Sequence, residues 1–330
     1  MAVRQRNQAI LLAKIQSAYG TLPAFDPTTD ALQIIDYDIR FNRESVERNI
    51  IKDTLGATGE IVTATYVELT FTVELKGSGV SGLSIAEPRI GRLIQACGYK
   101  VSTVADTAGN ILSYIYTPSS AEFGTADRPA IAFELYDGIS GTSADKFVII
   151  DAAGNYRMNF QVGQFPTVEF TFTGRLYSGP TTVTIPDVTY ETTEPEPCVG
   201  AALTIDTHTD FVITQLTLES GNEISMRRDI NAADGYIGAF MGRRRITASI
   251  DPEATLATDY DWIDKLKSGA TAAVSIGPIG SDTGNKVTIS ASKAQYTGVS
   301  HADRDGILVF NVDLLLAETN GDDEIEIKFE

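Results

Sequence analysis

Residues 76–82, Lys-Gly-Ser-Gly-Val-Ser-Gly, spell Gly-x-Gly-x-x-Gly with Gly77, Gly79 and Gly82. In that spacing glycines allow a tight turn and close approach of the backbone to a pyrophosphate at a helix N-terminus, with an acid such as Asp106 placed for a ribose hydroxyl. Three features argue against that chemistry. The preceding run 66–75 alternates apolar and polar residues, whereas a dinucleotide-binding first strand is buried on both faces and apolar throughout. The next helix can begin only near Pro88, too far along to meet a phosphate at Gly82. The corresponding stretch of the second half, 251–260, has no glycine. The run reads as a flexible loop.

The other reactive residue types are equally unaccompanied. Ser143 and Lys146 match Ser-x-x-Lys but lead into a strand instead of opening a helix. His208 and His301 are the only histidines, and neither has a second imidazole or thiol at ligand spacing. Cys97 and Cys198 form no metal motif and no disulfide framework, so a reducing compartment is the expected site of synthesis. Carboxylates cluster at Glu191, Glu194 and Glu196 and at Asp322 and Asp323, without the Asp-x-Asp-x-Asp-Gly pattern of a calcium loop. These residues predict no catalytic site, no metal and no cofactor, and a protein that is not an enzyme.

Charge points elsewhere. Forty-four acidic against 26 basic residues leave a net charge of −18, the opposite of what wrapping nucleic acid requires. Within this acidic chain Arg227, Arg228, Arg243, Arg244 and Arg245 bracket one polar stretch. A nucleic-acid patch, contacts to carboxylates of a neighbouring subunit and a solvated face are the three readings. The acidic surplus favours the second over the first, with Glu191, Glu194 and Glu196 as partners. No apolar run approaches a membrane span. At the N-terminus, Arg4 and Arg6 precede a short apolar run, but Lys14 and Gln16 interrupt it. The segment is expected to belong to the mature protein.

The elements that must position these residues are mostly strands. Val67, Leu69, Phe71, Val73 and Leu75 alternate with Glu68, Thr70, Thr72 and Glu74, as a half-buried antiparallel strand does. Runs 166–174 and 307–316 repeat the pattern. Helices are expected only over 86–100, opened by Pro88 and closed by Gly98, and over 258–269, closed by Gly269. The run 10–20 fits either a strand or a helix.

The chain also matches itself. An offset of 177 places Ile39, Phe41, Leu69, Phe71 and Val73 on Leu216, Leu218, Ile246, Ala248 and Ile250. An offset of 140 aligns 145–172 with 285–312 without a gap, setting Tyr156 on Tyr296 and Phe170 on Phe310. The fall in offset implies 37 extra residues in the first half, mostly in 101–129. Each half then offers a strand, a long polar loop (42–65 and 220–243), a second strand and a helix, as a duplicated unit would. The expected division is an N-terminal arm 1–31, a β domain 32–187, a Pro- and Glu-rich linker 188–199 and a second β domain 200–330. Each domain is expected to be a β-sandwich or flattened barrel with one flanking helix.

Several stretches resemble tail tube (major tail) proteins of phages with long, non-contractile tails. They are NQAILLAKIQSAYGTLP near the N-terminus, 39–60, GRLIQACGY at 91–99 and TVEFTFTGRLYSGP at 167–180, then GNEISMRRDINAADGY at 221–236 and RRRITASIDPEA at 243–254. Their order, more than any one motif, carries the resemblance, which covers most of the chain. It implies self-assembly into stacked, six-fold or pseudo-six-fold rings forming a tube in the virion tail. The tube would associate with tape measure, terminator and distal tail proteins, and DNA would pass through the lumen without specific binding. Two units per chain favour a trimeric ring over a hexameric one. Glu68, Thr70, Thr72 and Glu74 are the expected lumen-facing residues. A different tail component and a tandem β-sandwich that binds glycans or a cell surface are the alternative functions.

Overall fold

The alternation at 66–75 becomes a strand whose Val67, Leu69, Phe71 and Val73 are buried while Glu68, Thr70, Thr72 and Glu74 stay partly exposed. The computed structural model describes residues 8–330; Arg4 and Arg6 lie outside the described residues. In the first half the strands are β1 (Ile10–Ile15), β2 (Ala31–Leu32), β3 (Asp36–Glu47) and β4 (Glu60–Glu74). Helix α1 (Gly91–Ala96) follows, then β5 (Tyr99–Ala105), β6 (Ile111–Pro118), β7 (Ile131–Ser140), β8 (Ser143–Gln161) and β9 (Thr167–Thr184). The second half has β10 (Leu203–Ile205), β11 (Gln215–Glu219), β12 (Asn222–Arg228), β13 (Tyr236–Arg244) and β14 (Thr247–Ile250). These lead to α2 (Trp262–Ser268), β15 (Thr271–Ile279), β16 (Val287–Arg304), β17 (Ile307–Leu316) and β18 (Glu326–Phe329).

The fold is mainly β and sandwich-like. All strands except the β12–β13 pair join one hydrogen-bonded sheet, which folds over its core without closing into a barrel. Phe133 of β7 packs across that core against Phe71 of β4 and Phe172 of β9, with ring centroids 5.8 and 4.9 Å apart. In the first half the strands pair in the order β1-β7-β8-β9-β4-β3, and in the second in the order β10-β15-β16-β17-β14-β11. The β5–β6 hairpin occupies the stretch where extra residues were expected. Only Gly269 and Ala270 separate α2 from β15. Residues 10–15, undecided from sequence, form a strand that pairs with β7.

Both helices are shorter than expected. Arg89 and Ile90 form a turn before α1, closed by Gly91 N donating to Pro88 O, and Gly98 turns the chain at φ 91°. Asp261 caps α2 by accepting from Asp264 N, and Gly269 ends it in the left-handed conformation. The gapless match of 145–172 to 285–312 fails after the first strand. Tyr156 lies opposite Phe170, but Tyr296 lies opposite Leu314, not Phe310. A bulge at Thr297 and a longer β16–β17 hairpin displace the register.

Each half buries a tyrosine pair joined through its hydroxyls, Tyr99 of β5 with Tyr156 of β8 and Tyr260 of the loop before α2 with Tyr296 of β16. Burial pushes the phenols of Tyr99, Tyr156 and Tyr296 up, so they stay protonated. Tyr156→Phe strands the Tyr99 hydroxyl and is expected to cost about 1–2 kcal/mol, read as an earlier urea midpoint at unchanged m-value. Tyr296→Phe is expected to behave alike.

Candidate functional site

The two halves share one sheet because β11 pairs with the end of β8, Gln215–Glu219 opposite Gln161–Arg157. Residues directly opposite in a ladder share a face, so register rows can be followed across the seam. One row runs through Asp36, Thr72, Glu169, Arg157, Glu219, Thr247, Leu315 and Gln295, from β3 through β4, β9, β8, β11, β14 and β17 to β16. The next runs through Glu74, Thr167, Asn159, Thr217, Ser249, Asp313 and Gly298. Between them, on the other face, lie Val73, Val168, Met158, Leu218, Ala248, Leu314 and Tyr296, all buried. The expected residues Glu68, Thr70, Thr72 and Glu74 sit together on the polar face, and Thr70 and Thr171 share a hydrogen bond of 3.2 Å.

This polar face is acidic. Asp36, Asp38, Glu68, Glu74, Glu169, Glu219 and Asp313 outnumber Arg40 and Arg157 on it. Arg40 holds Asp38 at 2.9 Å, and Arg157 reaches Glu219 across the seam at 3.3 Å. Sequence reasoning found the β4 portion. Its continuation onto β8, β11, β14 and β17 needed the cross-half ladder, which periodicity within one strand does not encode.

The five arginines divide. Arg244, largely buried, binds Asp322 at 2.5 Å and Glu324 at 2.9 Å within its own chain. Burial alone would push the Asp322 carboxyl up, but hydrogen bonds from Ser120 and Arg244 outweigh it and hold the group below its ordinary range. Arg228 grips Glu44 of β3 through both carboxylate oxygens, at 2.8 and 2.6 Å. Arg227, Arg243 and Arg245 are exposed, with no ion pair among the described residues. Of the linker glutamates, Glu191 meets Arg89 at 3.7 Å.

The expected polar loops are largely hairpin. β3 and β4 pair out to Glu47 and Glu60, and the remaining tip is apolar as well as polar, with Ile51 and Leu55 fully exposed. The second hairpin, β12–β13, leaves the main sheet and lies along the first half, where Thr65 N donates to Asp234 O and Tyr66 meets Tyr236 edge-on.

The glycine motif marks a backbone contact between halves. Gly77 N donates to Asn285 Oδ1 at 2.8 Å and Gly79 N to Gly284 O at 3.1 Å, and a Cβ on Gly77 would come within 2.0 Å of Gly284 O. Lys146 binds Glu134 at 3.0 Å, His208 packs on Phe211 and Tyr260, and His301 packs on Phe310. Among the described residues no cluster of three His, Cys, Asp or Glu could hold a metal ion, and no helix is long and apolar enough to cross a membrane.

Residues 6–327 match the family described as phage tail tube protein. No curated protein matches the chain.

The arginine geometry sets an order of sensitivity. Arg244→Ala leaves two carboxylates without their cation and is expected to cost about 2 kcal/mol in urea unfolding, less than a fully buried pair because solvent reaches the site. The double change Arg243→Glu and Arg245→Glu is expected to stay within about 0.5 kcal/mol of the parent.

Proposed function

Since the chain belongs to the phage tail tube protein family, we propose that it polymerises into stacked rings enclosing a lumen lined by the acidic face just described. The single observation that carries this is the continuity of that face over eight strands drawn from both halves. DNA presents one negative charge per about 1.7 Å of axis, so an acidic wall repels it and a basic one would retain it. DNA then passes during ejection without specific binding. The virion tail is the site of action, reached after assembly in the host cytoplasm. The tape measure, terminator and distal tail proteins are its neighbours, as in a long, non-contractile tail.

The repeated pairing order supports the reading of 32–187 and 200–330 as two copies of one tube unit joined by 188–199. Three chains then supply six units, and the ring is a trimer with pseudo-six-fold symmetry. Heterologous contacts of this kind close laterally and continue axially. Arg227, Arg243 and Arg245, exposed and without ion pairs among the described residues, face carboxylates of neighbouring copies.

Negative-stain microscopy of concentrated protein is expected to show hollow tubes, and the mass of detached rings to equal three chains. Six chains per ring would replace the trimer with a hexamer, and monodisperse particles at all concentrations would refute the tube. Reversing Arg227, Arg243 and Arg245 to Glu is expected to leave the monomer folded and slow assembly, most strongly at low salt. Assembly at the parental rate at low and high salt would make these arginines a solvated face.

A further inference from the structure

Asn-Gly occurs once in the chain, at Asn320–Gly321. It falls in the turn of residues 317–325 between β17 and β18, and both residues are exposed. In this dipeptide the side-chain amide carbon and the next backbone nitrogen can close a five-membered ring. Glycine hinders that closure least, because it has no Cβ and reaches backbone angles closed to other residues. Gly321 sits at φ 92°, and a Cβ built on it would meet nothing nearer than Glu318 Oε2 at 4.0 Å. Its backbone nitrogen makes no hydrogen bond among the described residues.

The turn is tied through the carboxylate of Asp323. Thr319 N donates to Asp323 Oδ1 at 2.7 Å, while Asn320 N and Nδ2 donate to Oδ2 at 3.0 and 3.4 Å. These bonds, that from Thr319 N foremost, hold the Asp323 carboxyl below its ordinary range, so it is an anion at neutral pH. On either side of it stand Asp322 and Glu324, the two carboxylates that bind Arg244. Asp322 also accepts from Ser120 N at 2.9 Å, in the loop between β6 and β7. The chemical state of residue 320 therefore bears on a clasp that joins this turn to β13 and to the first half.

We propose that Asn320 is a self-modifying site, which deamidates through Gly321 and thereby loosens the Arg244 clasp. Hydroxide takes the proton from Gly321 N, and this nitrogen bonds to Asn320 Cγ. The Cγ–Nδ2 bond breaks, and the leaving amide takes a proton from water and departs as ammonia, returning the hydroxide. Water then opens the resulting succinimide. Addition at Cγ gives aspartate, and addition at the main-chain carbonyl gives isoaspartate, in which the backbone is longer by one carbon. One water is consumed and one ammonia released, with no oxidant or reductant. Both products exchange an amide for a second carboxylate next to that of Asp323, and adjacent like charges repel. The proposal is independent of the tube reading.

The chain supplies its own comparison. Asn49 and Asn231 are also exposed, but Ile50 and Ala232 follow them, and a side chain on the attacking residue hinders closure. Asn320 reacts ahead of both.

The test is peptide mapping by mass spectrometry of full-length protein held at mildly alkaline pH. The peptide containing residue 320 is expected to give two heavier species, aspartyl and isoaspartyl, while those containing Asn49 and Asn231 stay unchanged over the same time. Asn320→Gln, whose longer side chain would have to close a larger ring, is expected to remain unmodified there. In parallel, amides of 119–122 and 319–325 are expected to exchange faster in aged protein and in Asn320→Asp than in fresh protein, and to be unchanged by ageing in Asn320→Gln. An Asn320 that stays intact, or converts no faster than Asn49 and Asn231, would overturn the site. Conversion without faster exchange at these amides would overturn its link to the Arg244 clasp.

Discussion

The ladder between β8 and β11 is the contact on which the rest of the molecule depends. It is short, five residue pairs, but it fixes which faces of the two halves coincide. Because side chains alternate with a period of two, one register decides the fate of every residue downstream of it. Polar side groups reinforce it where the ladder ends. Asn155 Oδ1 accepts from Ser220 Oγ and Asn222 N, while Asn222 Nδ2 donates to the carbonyls of Cys97 and Gly154. These groups are buried or nearly so, and leaving any of them unbonded would cost more than the bond returns. The seam therefore behaves as core, and the halves cannot rotate against each other without breaking it.

Much of the fold was legible in the sequence because period-two alternation is a local property. Val67 to Leu75 declare a half-buried strand with no knowledge of its neighbours. The order of elements repeats visibly for the same reason. What escaped was non-local. Arg244 looked like its neighbours Arg243 and Arg245, yet its carboxylates are Asp322 and Glu324, about eighty residues away in a segment that reads as a turn and a final strand. The bulge at Thr297 carries no composition signal, and it moves Phe310 away from the place that its match with Phe170 assigns it. The helix ends were misjudged because Pro88 permits a helical first turn without compelling one. The polar face proposed to line the lumen was legible on β4 alone, since only the ladder shows that Glu169, Glu219 and Asp313 share it.

Charge is organised by this architecture rather than merely abundant. Arg244, Arg175 and Arg304, at partly buried positions, are neutralised inside the chain by Asp322, Asp151 and Asp251, whereas the buried Arg128 donates to the backbone carbonyls of Ala121, Met241 and Gly242. Desolvation favours such partners, because an isolated buried cation is far costlier than a solvated one. On the acidic face Arg40 and Arg157 are each held by an adjacent carboxylate. Glu74 is held by Lys76 at 3.1 Å, yet the face keeps a surplus of carboxylates, which costs little on an open surface and grows more repulsive when copies are brought together around the proposed lumen. The proposed ring must offset that repulsion through its lateral contacts.

The proposed tandem duplication would ease this problem. Each junction formed inside a chain is made at folding, without the loss of translational and rotational freedom that an association between chains incurs. In the proposed ring half of the lateral junctions are of this kind, and their geometry is set before any second chain arrives. The internal seam also carries a polar clasp, in which Ser220 Oγ and Asn222 N donate to Asn155 Oδ1. A permanent junction can recruit buried polar groups because they are satisfied once and never exposed again.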